Sequence, residues 1–162
     1  MSRETSSLSD TQKGTIGEYL ISSFLILESN GRLSPAFTWA DDSGIDLIVY
    51  DKETKKTIPV QVKSRLKPDN STIQFDVRKA TFKEAENSCL VAAWLDIESK
   101  NIGIKWAWLI PFDELKQIAR ETDKNYVITP SWKDESKDKY EGYRYKDMKE
   151  LTERLIKEFD EG

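Results

Sequence analysis

The chain predicts an α/β fold, with strands in a sheet and helices packed around it. Three observations lead there. Ile16, Leu20, Phe24 and Leu27 recur at helical spacing within Lys13 to Glu28. Short runs rich in Ile, Val, Tyr and Trp follow at 45–50, 57–64, 72–77, 90–97 and 104–110. An amphipathic helix closes the chain over 146–160, with Met148, Leu151, Leu155 and Phe159 on one stripe.

At 162 residues, 33% charged and 38% apolar, the chain fits one globular domain with room for a core. No apolar run reaches the roughly 20 residues that span a bilayer, so no membrane partner is expected. Met1 to Asp10 is polar where a signal peptide would be apolar. Cys89 stands alone, which excludes an intramolecular disulfide and fits a reducing cytoplasm. The absence of His removes imidazole bases, Ser-His-Asp triads and His-based zinc sites. Any metal would be held by oxygen, which favours Mg²⁺ or Mn²⁺.

Residues 1–12 are Ser/Thr-rich and expected to fray and be flexible, leaving 13–162 as a single domain. In the first helix, Glu18 stacks with Ile21 and Leu25 on a second apolar stripe. The helix should then be largely buried. A carboxylate there calls for a partner or a metal unless its head reaches water. Gly14 and Gly17 would let another element approach closely. Asn30-Gly31 ends the helix, a short strand is expected at Phe37 to Ala40, and Asp41-Asp42-Ser43-Gly44 reads as a turn.

Ile45–Tyr50 and Thr57–Ser64 then form a hairpin around the polar turn 51–56. If Tyr50 pairs with Thr57, Asp46 falls opposite Gln61, and Lys63 lies on the same face. The other face carries Ile45, Leu47, Val49, Val60 and Val62 as an apolar wall. A carboxylate, an amide oxygen and an ammonium thus gather on one side. The two oxygens suit a hard cation, and the lysine can position water or stabilise charge on a phosphate. The alternative is a surface hairpin with an Asp–Lys pair and an exposed Gln.

A third strand is expected at Thr72–Val77, a short helix at Lys79–Asn87, and a central buried strand at Leu90–Ile97. Ile104–Ile110 is a further strand, with Trp106 and Trp108 on one face. They can stack on bases, but the core is the favoured reading. Pro111 starts a helix with Leu115, Ile118 and Ala119 inward, and Tyr126–Thr129 reads as an edge strand. The charged loop at 131–145 carries four aromatics and reads as a substrate-contacting loop or a solvated connector. Net charge is −4, yet residues 52–83 sum to +6 while the segments on either side sum to −5 each. A localised basic face suits a phosphate backbone. The alternative is a lysine-rich solvated edge.

The order of these elements resembles the PD-(D/E)xK nuclease superfamily: a helix with Glu, then G-I-D on a strand, then Q-V-K on its partner. It is also similar to the archaeal Holliday-junction resolvases and to small nuclease-like domains of bacteria and archaea. The resemblance covers roughly residues 13–110. It implies the restriction-endonuclease-like fold, a central mixed β-sheet flanked by helices. It further implies a Mg²⁺-dependent (or Mn²⁺-dependent) endonuclease hydrolysing phosphodiester bonds of DNA, including branched or structured DNA. Asp46 would bind the metal with the Gln61 side chain and the Val62 carbonyl. Glu18 would act through water or on a second ion, and Lys63 would position the attacking water. Arg65, Lys67, Arg78 and Lys79 would grip phosphates. Nucleases of this size often act as dimers, so a homodimer is also raised. Two departures stand out. Gly44-Ile45 replaces the Pro before the Asp, and Gln61 replaces an acid, removing one negative charge. A binding module that has lost catalysis, and a protein-interaction subunit using the acidic C-terminal half, are the alternatives.

Overall fold

Helix α1 spans Asp10–Glu28 and begins three residues earlier than the apolar spacing indicates. Ser9 and Gln12 form a reciprocal capping box: the Ser9 hydroxyl accepts the Gln12 N–H, and the Gln12 side chain accepts the Ser9 N–H. The segment before α1, where fraying is expected, makes contacts just beyond the end of the buried run at Cys89–Asp96. Thr5 is buried and donates to Glu98 Oε1 at 2.7 Å, and the Arg3 N–H donates to the Glu98 carbonyl at 2.7 Å. The computed structural model describes residues 3–38, 44–68, 70–82 and 87–162. Asp41 and Asp42, with the turn they were assigned to, lie outside the described residues.

The buried face of α1 is Gly17, Ile21, Ser22 and Leu25, the stripe that Glu18 flanks. The other stripe packs only at its edge. Ile16, Leu20 and Phe24 are half-buried, and Leu27 is 67% exposed, contrary to expectation. Asn30 (φ 51°) and Gly31 (φ 79°) end the helix in the left-handed region, with the Gly31 N–H donating to the Ile26 carbonyl at 2.9 Å.

The strands are β1 (Leu33–Phe37), β2 (Leu47–Asp51), β3 (Thr57–Arg65), β4 (Phe75–Arg78), β5 (Cys89–Asp96) and β6 (Gly103–Pro111). After helix α2 (Phe112–Ile118) come β7 (Arg120–Glu121), β8 (Asn125–Ile128) and β9 (Arg144–Tyr145). Helix α3 (Met148–Glu161) ends the chain, capped by Asp147, whose side chain accepts the Lys149 N–H. The main sheet runs β1-β2-β3-β5-β6-β9. It is mixed, because β3 and β5 run parallel while the other pairs are antiparallel. β1 lies four residues or so before the strand expected at Phe37–Ala40, of which residues 39–40 are outside the described residues.

The β2–β3 register is the expected one: Tyr50 pairs with Thr57 and Leu47 with Val60. β5 is central and buried, as its apolar run requires. β4 departs from expectation. It leaves the main sheet and pairs with β8, in the order β4-β8-β7, so β8 is a middle strand and not an edge. Only a 3-10 turn, Lys79–Phe82, replaces the helix expected at Lys79–Asn87, of which 83–86 lie outside the described residues.

Two cores result. The first lies between one face of the main sheet and helices α1 and α3: Ile21 and Leu25 meet Leu47, Val49, Val60 and Val62, with Leu151, Leu155 and Phe159 from α3. The second lies between the opposite face and the small sheet with α2: Phe75, Ile73 and Leu115 meet Leu90, Trp108 and Ile110. The segment 131–145 is organised by Arg144, which donates to the carbonyls of Lys133 at 2.8 Å and Asp134 at 3.1 Å, and by Asp138, which accepts the N–H groups of Ser131 and Tyr140. Among the described residues no helix is long and apolar enough to cross a membrane.

Candidate functional site

β2 stops pairing at Leu47, and the chain before it peels away from β3. The reason is Asp46. In the register of the hairpin the Val62 N–H should meet the Ile45 carbonyl. Instead it donates to Asp46 Oδ2 at 2.7 Å, while the Ile45 carbonyl accepts the Thr38 hydroxyl at 2.5 Å. The Asp46 N–H also leaves the hairpin register and donates to the Val60 carbonyl at 3.0 Å. The carboxylate is therefore fixed against the middle of β3. The same twist corrects the apolar wall. Ile45 does not join Leu47 and Val49 but packs in the second core, because strict alternation ends where the strand does.

Past Val62, β3 presents Lys63 and Arg65. Helix α1 crosses this strand at Gly17, where an added Cβ would meet Ser64 Oγ at 2.7 Å and Ser64 Cβ at 2.8 Å. That close approach brings the next residue, Glu18, beside the strand. Gly14, also expected at a close approach, has nothing within 4 Å of such a Cβ. Glu18, Asp46, Val62 and Lys63 thereby line one cleft of about 1260 Å³, bounded by α1, β3 and β4.

Arg65, Lys67 and Arg78 line the same cleft. The Arg65 guanidinium donates to the Gln74 carbonyl at 2.9 Å, and Lys67 lies 3.8 Å from Glu98. Lys79 does not line it: it pairs with Glu121 at 2.8 Å and sits over the Tyr126 ring. Lys52, Lys55 and Lys56 are at the far hairpin turn, and Lys56 bonds the Gly162 carbonyl. The basic segment of the sequence is thus split between two ends of β3. Within the cleft six basic residues (Arg3, Lys13, Lys63, Arg65, Lys67, Arg78) face six acids (Glu4, Asp10, Glu18, Asp46, Asp76, Glu98).

Arg3 and Lys13 line the cleft too, beyond the residues that the sequence singles out. Lys13 carried a signal, since it lies one turn before Gly17 and Glu18 on α1. Arg3 carried none. Its place depends on the N-terminal segment reaching the end of β5, where its guanidinium donates to the Ser99 carbonyl at 2.7 Å.

Gln61 behaves differently from its neighbours. It is 4% exposed and does not line the cleft, and its Oε1 is buried without a hydrogen-bond partner. An unsatisfied buried acceptor costs about 1–3 kcal/mol, and an oxygen in that state fits a cation. Asp46, Gln61 and Glu18 offer hard oxygens of the kind Mg²⁺ takes. The set is lean, for among the described residues no three Asp, Glu or Cys side chains gather as ligands.

No family model matches the chain, and no curated protein matches it significantly. Solved structures do. The fold is similar to that of a bacterial homing endonuclease, I-Ssp6803I, with a TM-score of 0.60 and 18% identity over 94% of this chain and 96% of that one. Archaeoglobus fulgidus Hjc, a Holliday junction resolvase from an archaeal hyperthermophile, matches with a TM-score of 0.45 and 14% identity over 72% of this chain and 83% of that one. A mixed sheet entered through a helix, with near-complete coverage of the homing endonuclease, gives this chain a restriction-endonuclease-like fold.

Proposed function

We propose that the chain is a divalent-metal-dependent endonuclease that cleaves DNA. The observation that carries this reading is the meeting of Glu18, Asp46 and Lys63, from three separate elements, in one cleft with Arg65 and Arg78. Asp46 and the Val62 carbonyl would hold Mg²⁺ or Mn²⁺, with Glu18 alongside, and Gln61 Oε1 would join them only by turning from its buried position towards the cleft. When bound, the cation supplies positive charge that stabilises the attacked phosphate. Asp46 is already oriented by the Val62 N–H, so it needs no rearrangement to serve. The Lys63 ammonium orients the attacking water and neutralises charge as the phosphate becomes five-coordinate. Arg65, Lys67 and Arg78 hold the flanking phosphates, and Lys79 does so only if it leaves Glu121.

The matched numbers of acids and bases in the cleft bear on the metal. Six acids and six bases line it, so a divalent cation held at Asp46 and Glu18 would add net positive charge. A divalent cation between them tips the cleft towards the polyanion.

A second reading keeps the fold and drops the chemistry: a DNA-binding module retired by Gln61. The small number of carboxylates favours it. Cleavage of labelled duplex, single strand, four-way junction and RNA, with Mg²⁺, Mn²⁺ or EDTA, separates the two. We expect metal-dependent cut DNA, lost in Asp46→Ala and Lys63→Ala, with Lys63→Ala keeping its melting temperature and Asp46→Ala folded but melting lower through the loss of its bond to the Val62 N–H. Full activity in either variant sinks the site assignment, and retention of DNA without cleavage supports the binding module.

A further inference from the structure

β3 continues beyond Lys63, and the residues beside it change character. On this face of the main sheet, Lys63, Ala92 and Trp108 form one cross-strand row, and Arg65, Trp94 and Trp106 form the next. The first row is closed over: Trp108 is fully buried, with the Phe75 ring 5.8 Å away. The second row is partly open. Trp132, from the segment after β8, stands edge-on to Trp94 at 5.7 Å, and the three indoles line a groove of about 930 Å³. Strand spacing of about 4.8 Å puts Trp94 ~5 Å and Trp106 ~10 Å from Arg65, so the groove extends the cleft.

Two of the indoles are fixed through their polar edges. Trp94 Nε1 donates to the Leu66 carbonyl at 3.1 Å, and Trp132 Nε1 to the Asn70 carbonyl at 2.7 Å. What remains for a ligand is ring surface beside cations, and the Arg144 guanidinium already lies over the Trp106 ring, 4.2 Å from its centroid. Lys105 Nζ is 4.6 Å from the Trp94 ring centroid, Lys146 Nζ is 5.4 Å from that of Trp106, and Lys133 lines the same groove. Asp134 and Glu135 are on one wall, with Asp134 3.9 Å from Lys146.

We propose that this groove binds an unpaired nucleic-acid strand, its bases stacked on Trp94 and Trp132 beside the Arg144-covered Trp106 and its phosphates met by Lys105, Lys133 and Lys146. Paired bases in a duplex are already stacked and cannot reach these rings. The substrate therefore carries a single-stranded segment next to the duplex held at Arg65. Stacking platforms with a basic rim are how single strands are gripped without sequence preference. The rim and the continuity with Arg65 favour a polyanion over a peptide. This inference rests on the cleft accepting DNA.

The test compares a blunt duplex with the same duplex bearing a single-stranded tail, by fluorescence anisotropy in EDTA with the full chain. The tail should tighten binding by roughly tenfold or more, given the worth of stacked bases. Trp132→Ala and the exposed Lys105→Glu should each remove most of that gain and leave blunt-duplex affinity unchanged. Lys105→Glu carries the result if Trp132→Ala proves unstable. No gain from the tail, or equal weakening of both ligands, overturns the proposal. So does unchanged tail binding with loss of a sedimenting dimer in the variants, which would assign the groove to a second copy. Nuclease activity is read separately, from metal-dependent cleavage of the blunt duplex, so its failure is not confused with failure here.

Discussion

Gly17→Ala should damage both the fold and the site, because the added methyl has nowhere to go. Its Cβ would lie 2.8 Å from Ser64 Cβ and 3.5 Å from Leu95 Cδ1. Carbon atoms rest about 3.5–4.0 Å apart, so α1 must lift from β3 by roughly 1 Å. Overpacking of this kind costs about 1–3 kcal/mol, while replacing Gly by Ala inside a helix returns up to about 1 kcal/mol. The balance is a net loss of up to about 2 kcal/mol, which lowers Tm by several degrees in a chain of this size. Under the proposed reaction the functional effect is larger, because Glu18 follows Gly17 and a 1 Å displacement at a site can cost about 100-fold in rate. Thermal melts and cleavage assays on Gly17→Ala, Ser64→Gly and the double variant check this. Ser64→Gly removes the colliding atoms, so the double variant should recover stability and activity relative to the sum of the singles. A Gly17→Ala protein that is more stable than the parent, with no coupling to Ser64, would refute the close-approach argument.

Gln61→Glu puts a carboxylate where an unpartnered oxygen is now buried. It should lower Tm in EDTA, since a buried charge is costly, and raise it with Mg²⁺ by more than in the parent; a melt insensitive to metal would deny the oxygen a ligand role. Arg65→Ala, Lys67→Ala and Arg78→Ala should each reduce the salt slope of DNA binding by about one unit, whereas Lys79→Ala, with its ammonium on Glu121, should change it least. Asp51 is fully buried and held by Arg32 at 2.8 Å, then by Thr54 and the N–H groups of Glu53 and Thr54, which keep its carboxyl well below the usual range. A folded-state pKa below the unfolded one stabilises the fold at neutral pH, and that stability drains away as pH falls below about 4. Urea midpoints across pH 3–7 should show a steeper acid loss for the parent than for Asp51→Asn; equal slopes would exclude this pair as the cause.

Periodicity alone determined the first and last helices, the hairpin register and the central strand. Local rules govern these: i, i+4 spacing on a helix, and a turn whose closing pair sets every later pair. Met148, Leu151, Leu155 and Phe159 are all buried as the stripe requires. The polar trio Asp46, Gln61 and Lys63 was legible for the same reason, since polar residues in apolar strands stand out. Tertiary structure decided where each of the three comes to lie. Whether Glu18 reaches it depends on α1 crossing β3 at Gly17, a contact 47 residues apart in sequence. Whether Gln61 faces the cleft depends on what covers that face, and the small sheet covers it, a layer built by β4 leaving the main sheet for β8. Strand partners other than hairpin neighbours have no local signature, which is why β8 read as an edge. The indoles divided for the same cause. Trp106 and Trp108 are alike in sequence, yet Phe75 closes over Trp108, while Trp106 stays half-buried at the groove where Trp132 returns. A sequence fixes which face a residue is on, and only packing fixes whether that face meets core, water or ligand.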